Sequence, residues 1–273
     1  MAPATTEPPE FWFDASALTR QRRGRRGKAI GSFAKANDLV YVSWIDPGER
    51  DMPSLLLRNT RTDVISYPSP PAVEFGNHGW RYWLGSDDFV PSRQGYIAVR
   101  HDLRLPRLLI SCSTFGALTP LHVGSAAITA LGMLTFAEQS AGPDHSAFHR
   151  FRDRGSLVEL PPDIGFRAHC EKGHEEQARI LLDGEAARLL ADLSQSFSVE
   201  ANENWLFAYS HYGDITTRDA EVWAWAFAAM SRLRDLARVW GADLPPIPFA
   251  TERHIARPRQ LDGALGRLKR RPT

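Results

Sequence analysis

IGFRAHCEKGHEEQARILLDGEAARLLADLSQSFSVEANENWLFAYS, residues 164–210, is the stretch that decides the fold. Its two ends have the alternating apolar pattern of β-strands, and its middle has the composition and spacing of two short helices. Asp183 is positioned to cap the second helix, and the Asn-Glu-Asn run at 202–204 predicts a turn between two strands. The stretch therefore predicts strand, helix, helix, strand, turn, strand.

A long tryptophan-rich helix is predicted to follow this stretch. Thr216 with Asp219 three residues later resembles a capping box, Gly241 suits a helix C-terminus, and two prolines at 245–246 prevent continuation. The apolar positions recur at helical spacing: Val222, Trp223, Ala226, Phe227, Met230, Leu233, Ala237 and Trp240. Such a stripe is expected to pack on a sheet.

The N-terminal half reads as one helix followed by several short strands. Helix signals run over residues 14–37. Strand-like segments follow at 39–45, 54–59, 63–67, 80–85, 95–100 and 107–113. Because helices do not alternate with these strands, the pattern favours an antiparallel sheet and an α+β fold.

The domain organisation predicted from composition is one α+β domain over residues 14–241. A flexible arm at 1–13 precedes it, and a Pro- and Arg-rich basic tail at 242–273 follows it. Residues 114–144 have no clean periodicity, and we assign them no secondary structure. The charge-free run between residues 107 and 138 is diluted by glycine, serine and threonine, so we predict no membrane span there.

Composition bounds the function without selecting one. The 33 basic and 32 acidic side chains nearly balance, so the whole chain has no net attraction to nucleic acid, membranes or acidic substrates. Two cysteines make no disulfide framework, and the N-terminus lacks the pattern of a secretory signal. We therefore expect a cytoplasmic protein, and nothing in the sequence implies a cofactor.

One basic cluster is a candidate binding site for anionic phosphates. Six positive charges fall within nine positions: Arg20, Arg22, Arg23, Arg25, Arg26 and Lys28. Such a cluster can hold the headgroups of anionic lipids or the backbone of a nucleic acid. The simpler interpretation is a solvated helix face. No nucleic-acid-binding module is recognisable, so lipid headgroups are the favoured ligand.

Histidines provide the alternative of a metal-dependent hydrolase. His145 and His149 are four residues apart, and His174 would complete a set of nitrogen ligands. The spacing lacks the glutamate of the helical zinc-hydrolase motif, and no nucleophile elbow or phosphate-binding glycine loop occurs elsewhere. The sequence therefore favours a non-enzymatic protein over an enzyme, with no metal, and identifies no catalytic residue.

The 164–210 stretch also resembles a group of actinobacterial conserved proteins that form a domain of unknown function. The matching positions are 169–170, 173, 181–182, 189–190, 197–200 and 205–210. One departure is Glu171, since the family has proline after the cysteine. The resemblance implies an α+β domain and transfers no catalytic residue. Some relatives have a hydrophobic stretch after the basic tail, which implies tethering at a membrane.

Together these features predict a binding or scaffolding protein. Its candidate partners are an anionic lipid surface at the inner face of the membrane, reached through the basic segments, or another protein. The alternatives are the metal-dependent hydrolase and a nucleic-acid-binding protein.

Overall fold

The computed structural model describes residues 13–20, 26–46, 49, 52–55, 57, 60–67, 73–83, 89–112, 145–161, 163–210 and 214–242. The predicted arm at 1–13 and tail at 242–273 fall almost wholly outside these residues, so the domain boundaries stay predictions. Phe13 is described, and its ring packs 5.7 Å from that of Phe33 and 5.4 Å from that of Phe227.

Within the described residues, seven antiparallel strands form one sheet, and six helices complete the α+β fold predicted from the sequence. The strands are β1 Val40–Ile45, β2 Arg61–Ser66, β3 Val73–Trp83, β4 Phe89–Cys112, β5 Ser156–Leu157, β6 Phe166–Cys170 and β7 Phe197–Ser210. The helices are α1 Ser16–Arg20, α2 Arg26–Ala36, α3 His145–Arg154, α4 Glu175–Leu181, α5 Gly184–Ser194 and α6 Ala220–Val239.

The 24-residue strand β4 is the centre of the sheet. The strand order is β1-β2-β3-β4-β6-β5, and β7 pairs with β4 as well. β4 residues 96–99 pair with both β3 and β7, whereas residues 108–110 pair with both β6 and β7. Strands β3 and β6 therefore share one edge of β4, and β7 runs along the other edge. The separate strands predicted at 95–100 and 107–113 are one continuous strand.

Strand β7 is also continuous, so the turn predicted at 202–204 is wrong. Glu203 has a φ of 52°, the left-handed conformation that polar turn residues favour, but the chain continues in the same direction. A bulge replaces the turn, because β4 and β7 lose register at this level. The turn-like composition indicates a bend in the strand and not a reversal.

Helix α6 packs on the sheet as its apolar stripe predicts. Trp223 is fully buried, and its ring centroid lies 4.4 Å from that of Phe33 and 5.5 Å from that of Phe75 in β3. The helix begins later than the capping box suggests, because the Asp219 side chain accepts a hydrogen bond from Glu221 N. Gly241 has a φ of 100°, as a helix C-terminus requires.

The two faces of the sheet differ in composition. We call one the apolar face; α2, α5 and α6 cover it, and its core includes Ile30, Phe75, Ile97, Leu190 and Trp223. We call the other the polar face. Its smaller core consists of Met52, Leu55, Leu57, Tyr96, Ala98, Leu109, Phe207 and Tyr209. Buried polar and charged side chains contact this second cluster.

The segment between β1 and β2 packs on the polar face. The sequence predicts a strand over 54–59, but Ser54 and Leu55 belong to no strand. Leu55 N donates to the carboxylate of Glu200, and the Ser54 hydroxyl lies 2.6 Å from that of Tyr209. Contacts with side chains of β7 fix this segment on the sheet, and these contacts replace the backbone hydrogen bonds of a strand ladder.

Candidate ligand-binding groove

A groove opens where β4 and β7 lose register. Arg100 pairs with Trp205, and the next pair joins Leu105 to Glu203. The chain therefore advances five residues along β4 but only two along β7 between these pairs. The excess residues bulge out of the ladder. The groove, called the bend groove below, has a volume of about 890 Å³. It is lined by Arg100, His101, Asp102, Arg104, Leu105, Pro106, Arg107, Glu171, His174, Gln177, Asn202, Glu203 and Asn204.

The lining of the bend groove is strongly polar. Three arginines, three carboxylates, two histidines and three side-chain amides are present among its residues. Arg100 and Arg104 are exposed, and neither forms an ion pair with any residue in the described ranges. The groove therefore offers two cations whose charge is not yet compensated there.

His101 is the most deeply buried ionisable side chain of this lining, with 5% of its surface exposed. Burial lowers its pKa, while Asp102 and backbone groups of Trp205 and Leu103 act in the opposite direction. Backbone groups of Trp205 and Leu103 lie near the ring, but neither ring nitrogen has a hydrogen bond of good geometry to another described residue. A buried polar group without a partner is costly, so this imidazole is suited to complete its hydrogen bonds with a ligand.

Arg107 links the bend groove to the polar face. Its Nη1 atom lies 4.0 Å from Glu171 Oε1, and its Nε atom lies 4.0 Å from Glu200 Oε1. Both distances exceed that of a hydrogen bond. Within the described part of the chain, Nε has no hydrogen-bond partner. The guanidinium therefore lies between an outer and an inner carboxylate without a close contact to either.

Glu200 is fully buried beneath Arg107. The Tyr209 hydroxyl donates to Oε2 at 2.7 Å, and Leu55 N lies 3.0 Å from both carboxylate oxygens. Burial raises the pKa of Glu200 to about 7, although these donors and Arg107 favour the ionised form. The carboxyl group therefore changes charge near neutral pH.

Asn202 connects the groove to the 52–57 segment. This residue lines the groove, and its Nδ2 atom donates to the carbonyl oxygen of Pro53. Ser54 Oγ accepts from Leu57 N at 3.0 Å and thereby closes the segment on itself. Side chains at the groove and its border thus determine where the 52–57 segment lies.

The predicted basic cluster is only partly within the described residues. Arg20 ends α1, Arg26 and Lys28 lie in α2, and Arg22, Arg23 and Arg25 fall outside the described ranges.

Arg26 has defined partners in the fold. Its Nη1 atom lies 2.5 Å from Asp214 Oδ2, Nη2 donates to Thr216 O, and Nε lies 3.3 Å from Asp63. Lys28 is exposed on α2. Binding of phosphates by the cluster stays a prediction.

The histidines of the metal hypothesis are not brought together in any described site. His145 and His149 lie in α3, and their side chains are outside the description. His174 lines the bend groove, where its Nδ1 atom lies 3.3 Å from Gln177 Oε1. Among the side chains that the structure describes, no group of three histidine, cysteine or acidic residues is arranged to hold a metal ion.

Sequence reasoning missed most of the groove, including Arg100, His101, Arg104 and Arg107. The available signal was the run RHDLRLPR at 100–107, in which charges interrupt an otherwise apolar strand. The alternation of Phe197 and Val199 with polar neighbours predicts that Glu200 is solvated, but Glu200 is buried, because the polar face is covered too.

Comparisons with known proteins identify no family for this chain. No protein-family model matches the chain, and no curated protein matches its sequence. Among solved structures, the chain is similar to the crystal structure of the mycobacterial trehalose monomycolate transport factor A. That match has a TM-score of 0.44 and 14% identity, over 83% of this chain and 99% of the other. Similarity at this level determines neither a family nor a function.

Within the described ranges, no helix combines the length and the apolar composition that crossing a bilayer requires.

Proposed function

We propose that the protein is a non-enzymatic binding protein whose ligand occupies the bend groove and carries an anionic group. The observation that supports this most is His101, which is buried in the lining and whose ring nitrogens have no hydrogen bond of good geometry to a described residue. A bulged strand beside a polar concavity is a frequent setting for a binding site.

The charges of the groove favour an anion over a cation. Two of its carboxylates already have a cationic or ionisable neighbour, because Glu171 faces Arg107 and Asp102 acts on the His101 ring. Arg100 and Arg104 have no such neighbour in the described ranges. Guanidinium groups suit carboxylate, phosphate and sulfate oxygens, to which they donate in pairs.

The geometry favours binding over catalysis. A nucleophile and its general base must lie within hydrogen-bond reach of each other. In the described part of the groove, no hydrogen bond joins two ionisable side chains, and the Arg107–Glu171 pair is 4.0 Å apart. The metal-dependent hydrolase with His145, His149 and His174 has no supporting geometry in the described residues.

Calorimetric titration with sulfate tests this proposal. The double variant Arg100→Gln/Arg104→Gln removes two exposed charges, each worth about 0.2–1 kcal/mol. Sulfate affinity should therefore fall by about 2-fold to 30-fold. The matched control is Arg188→Gln, which removes an exposed arginine of α5 that does not line the groove. Equal sulfate affinity in all three proteins, or no binding at all, would contradict the proposal.

We further infer that the basic segment at 20–28 attaches the protein to an anionic membrane surface at the inner face of the cytoplasmic membrane. The density of charge supports this, at about 1 kcal/mol per basic residue near anionic lipid. Lys28 is exposed on α2 and available for such contact, whereas Arg26 is engaged by Asp63 and Asp214. Membership of the actinobacterial family is likewise an inference, supported by the sequence pattern at 164–210.

Liposome flotation tests the membrane contact. The triple variant Arg22→Gln/Arg23→Gln/Arg25→Gln should float less with vesicles containing anionic phospholipid than the unmodified protein does. Arg26 is kept because its contacts with Asp214 and Thr216 belong to the fold. Arg188→Gln again controls for loss of charge as such. Equal flotation of the triple variant and the unmodified protein would contradict this inference.

A further inference from the structure

The position of Arg107 has a consequence for any anion in the bend groove. Its guanidinium is 4.0 Å from the inner carboxylate of Glu200 and 4.0 Å from the outer carboxylate of Glu171. An anion bound beside Arg107 would add a negative charge close to both. A single guanidinium would then face three negative groups, of which only Glu200 is fully buried.

Glu200 is poorly placed to keep its charge in that situation. Three elements place groups against Glu200. Strand β4 contributes Arg107, strand β7 contributes the Tyr209 hydroxyl, and the 52–57 segment contributes Leu55 N and the Ser54 hydroxyl. Arg107 is the sole cation within ion-pair distance of Glu200 in the described residues. The charge of the buried carboxylate therefore depends on a cation that the ligand would also use.

We propose that anion binding in the bend groove is coupled to proton uptake at Glu200, with Arg107 as the residue that transmits the effect. This inference rests on the proposed function, since it requires an anion in the groove. When the anion attracts the guanidinium, the ionised form of Glu200 loses its counter-charge and takes up a proton from solvent. By reciprocity, protonation of Glu200 strengthens anion binding by the same factor.

The first test measures proton uptake directly. Sulfate is the probe, because it keeps the same charge throughout the neutral pH range. Calorimetric titrations at pH 7.5 in two buffers with different ionisation enthalpies should give different heats, with the sign of proton uptake. The difference must persist in His101→Gln and in His174→Gln, the two variants that remove the imidazoles of the groove lining. Identical heats in the two buffers would overturn the proposal.

The second test uses the pH dependence of sulfate affinity. Couplings between sites are commonly about 5-fold to 150-fold, so affinity should rise at least about 5-fold from pH 8.5 to pH 5.5. Glu200→Gln keeps hydrogen-bonding atoms at the same position but has no titrating proton, so its pH dependence should be shallower. A slope unchanged in a folded Glu200→Gln protein would overturn the coupling. If that variant does not fold, the two-buffer measurement on the unmodified protein decides.

Failure of the coupling and failure of the groove as a binding site give different results. Absence of sulfate binding at every pH contradicts the proposed function and the coupling with it. Sulfate binding that is lost in Arg100→Gln/Arg104→Gln but takes up no proton contradicts the coupling alone.

Discussion

The apolar and polar faces of the sheet show two ways of covering a β-sheet. In the part of the chain that the structure describes, helices cover the apolar face with an almost purely hydrophobic core, whereas a short segment and buried charged side chains cover the polar face. On the apolar face, Trp223 contacts three aromatic rings. On the polar face, Glu74 accepts from Arg61 at 2.6 Å and from the Tyr96 hydroxyl at 2.5 Å.

The difference suggests a division of roles. Apolar burial is non-directional and tolerates changes in pH, so the helical face is suited to stability. Buried charges are costly and respond to protons and ions, so they are suited to function. The bend groove lies beside the face whose carboxyl group, Glu200, titrates near neutral pH. The following predictions test this division.

The largest effect is expected on the apolar face. Trp223→Ala removes a fully buried indole between α2, β3 and α6 and should lower the free energy of unfolding by about 3–5 kcal/mol. Chemical denaturation measures this change. The control is Trp44→Ala, because Trp44 is 55% exposed and should contribute little. Similar losses in the two variants would mean that the helical face is not the main source of stability.

On the polar face, the loss of unfolding free energy caused by a substitution should depend on whether a buried charge keeps its partner of opposite sign. Arg61→Leu leaves the Glu74 carboxylate buried without its cation and should cost about 3 kcal/mol or more. The double variant Arg61→Leu/Glu74→Gln removes both charges of this pair and retains an acceptor for the Tyr96 hydroxyl. It should therefore be more stable than Arg61→Leu alone. A double variant that is less stable would contradict the electrostatic explanation.

Glu200 should make stability depend on pH. Because burial raises the pKa of Glu200 to about 7 in the folded protein, its contribution is complete below the unfolded pKa of 4.5. That contribution is lost as pH rises toward the folded pKa. Between pH 5 and pH 8 the loss should be about 2 kcal/mol. Urea denaturation should show this loss of stability for the unmodified protein and not for Glu200→Gln. Parallel pH profiles of stability for the two proteins would refute the assignment of the loss to Glu200.

The smallest effect concerns the bend itself. Glu203 has a positive φ, a conformation that is unfavourable for residues other than glycine. Glu203→Gly removes this strain, whereas Glu203→Ala keeps a Cβ atom at the same positive φ. Glu203→Gly should therefore be more stable than Glu203→Ala by about 1 kcal/mol, as measured by thermal denaturation. Equal stabilities of the two variants would mean that the backbone of Glu203 is not strained.

Local patterns in the sequence are sufficient to predict the elements in which apolar residues recur at one regular spacing throughout. The stripe of α6 and the cap at Asp183 were predicted correctly, because spacing and capping chemistry are local properties. The α+β class followed from the succession of strands without intervening helices.

The bend and its groove could not be predicted, because they depend on register between distant strands. Along β4, the residues that face the apolar core change from Ile97 and Val99 to Leu108 and Ile110. The alternation changes phase at the bulge, so the sequence resembles two strands with a loop between them. In β7, the Asn-Glu-Asn composition that predicts a turn instead adapts the strand to that bulge.

The central claim, that the bend groove is a binding site for an anion, is tested most directly by NMR. Sulfate is titrated into isotopically labelled full-length protein, and the backbone amide shifts are followed residue by residue. The account predicts saturable shifts concentrated at residues 100–107 and 202–204, with a shared affinity. Shifts confined to residues 20–28, or no saturable shift at the bend, would contradict it.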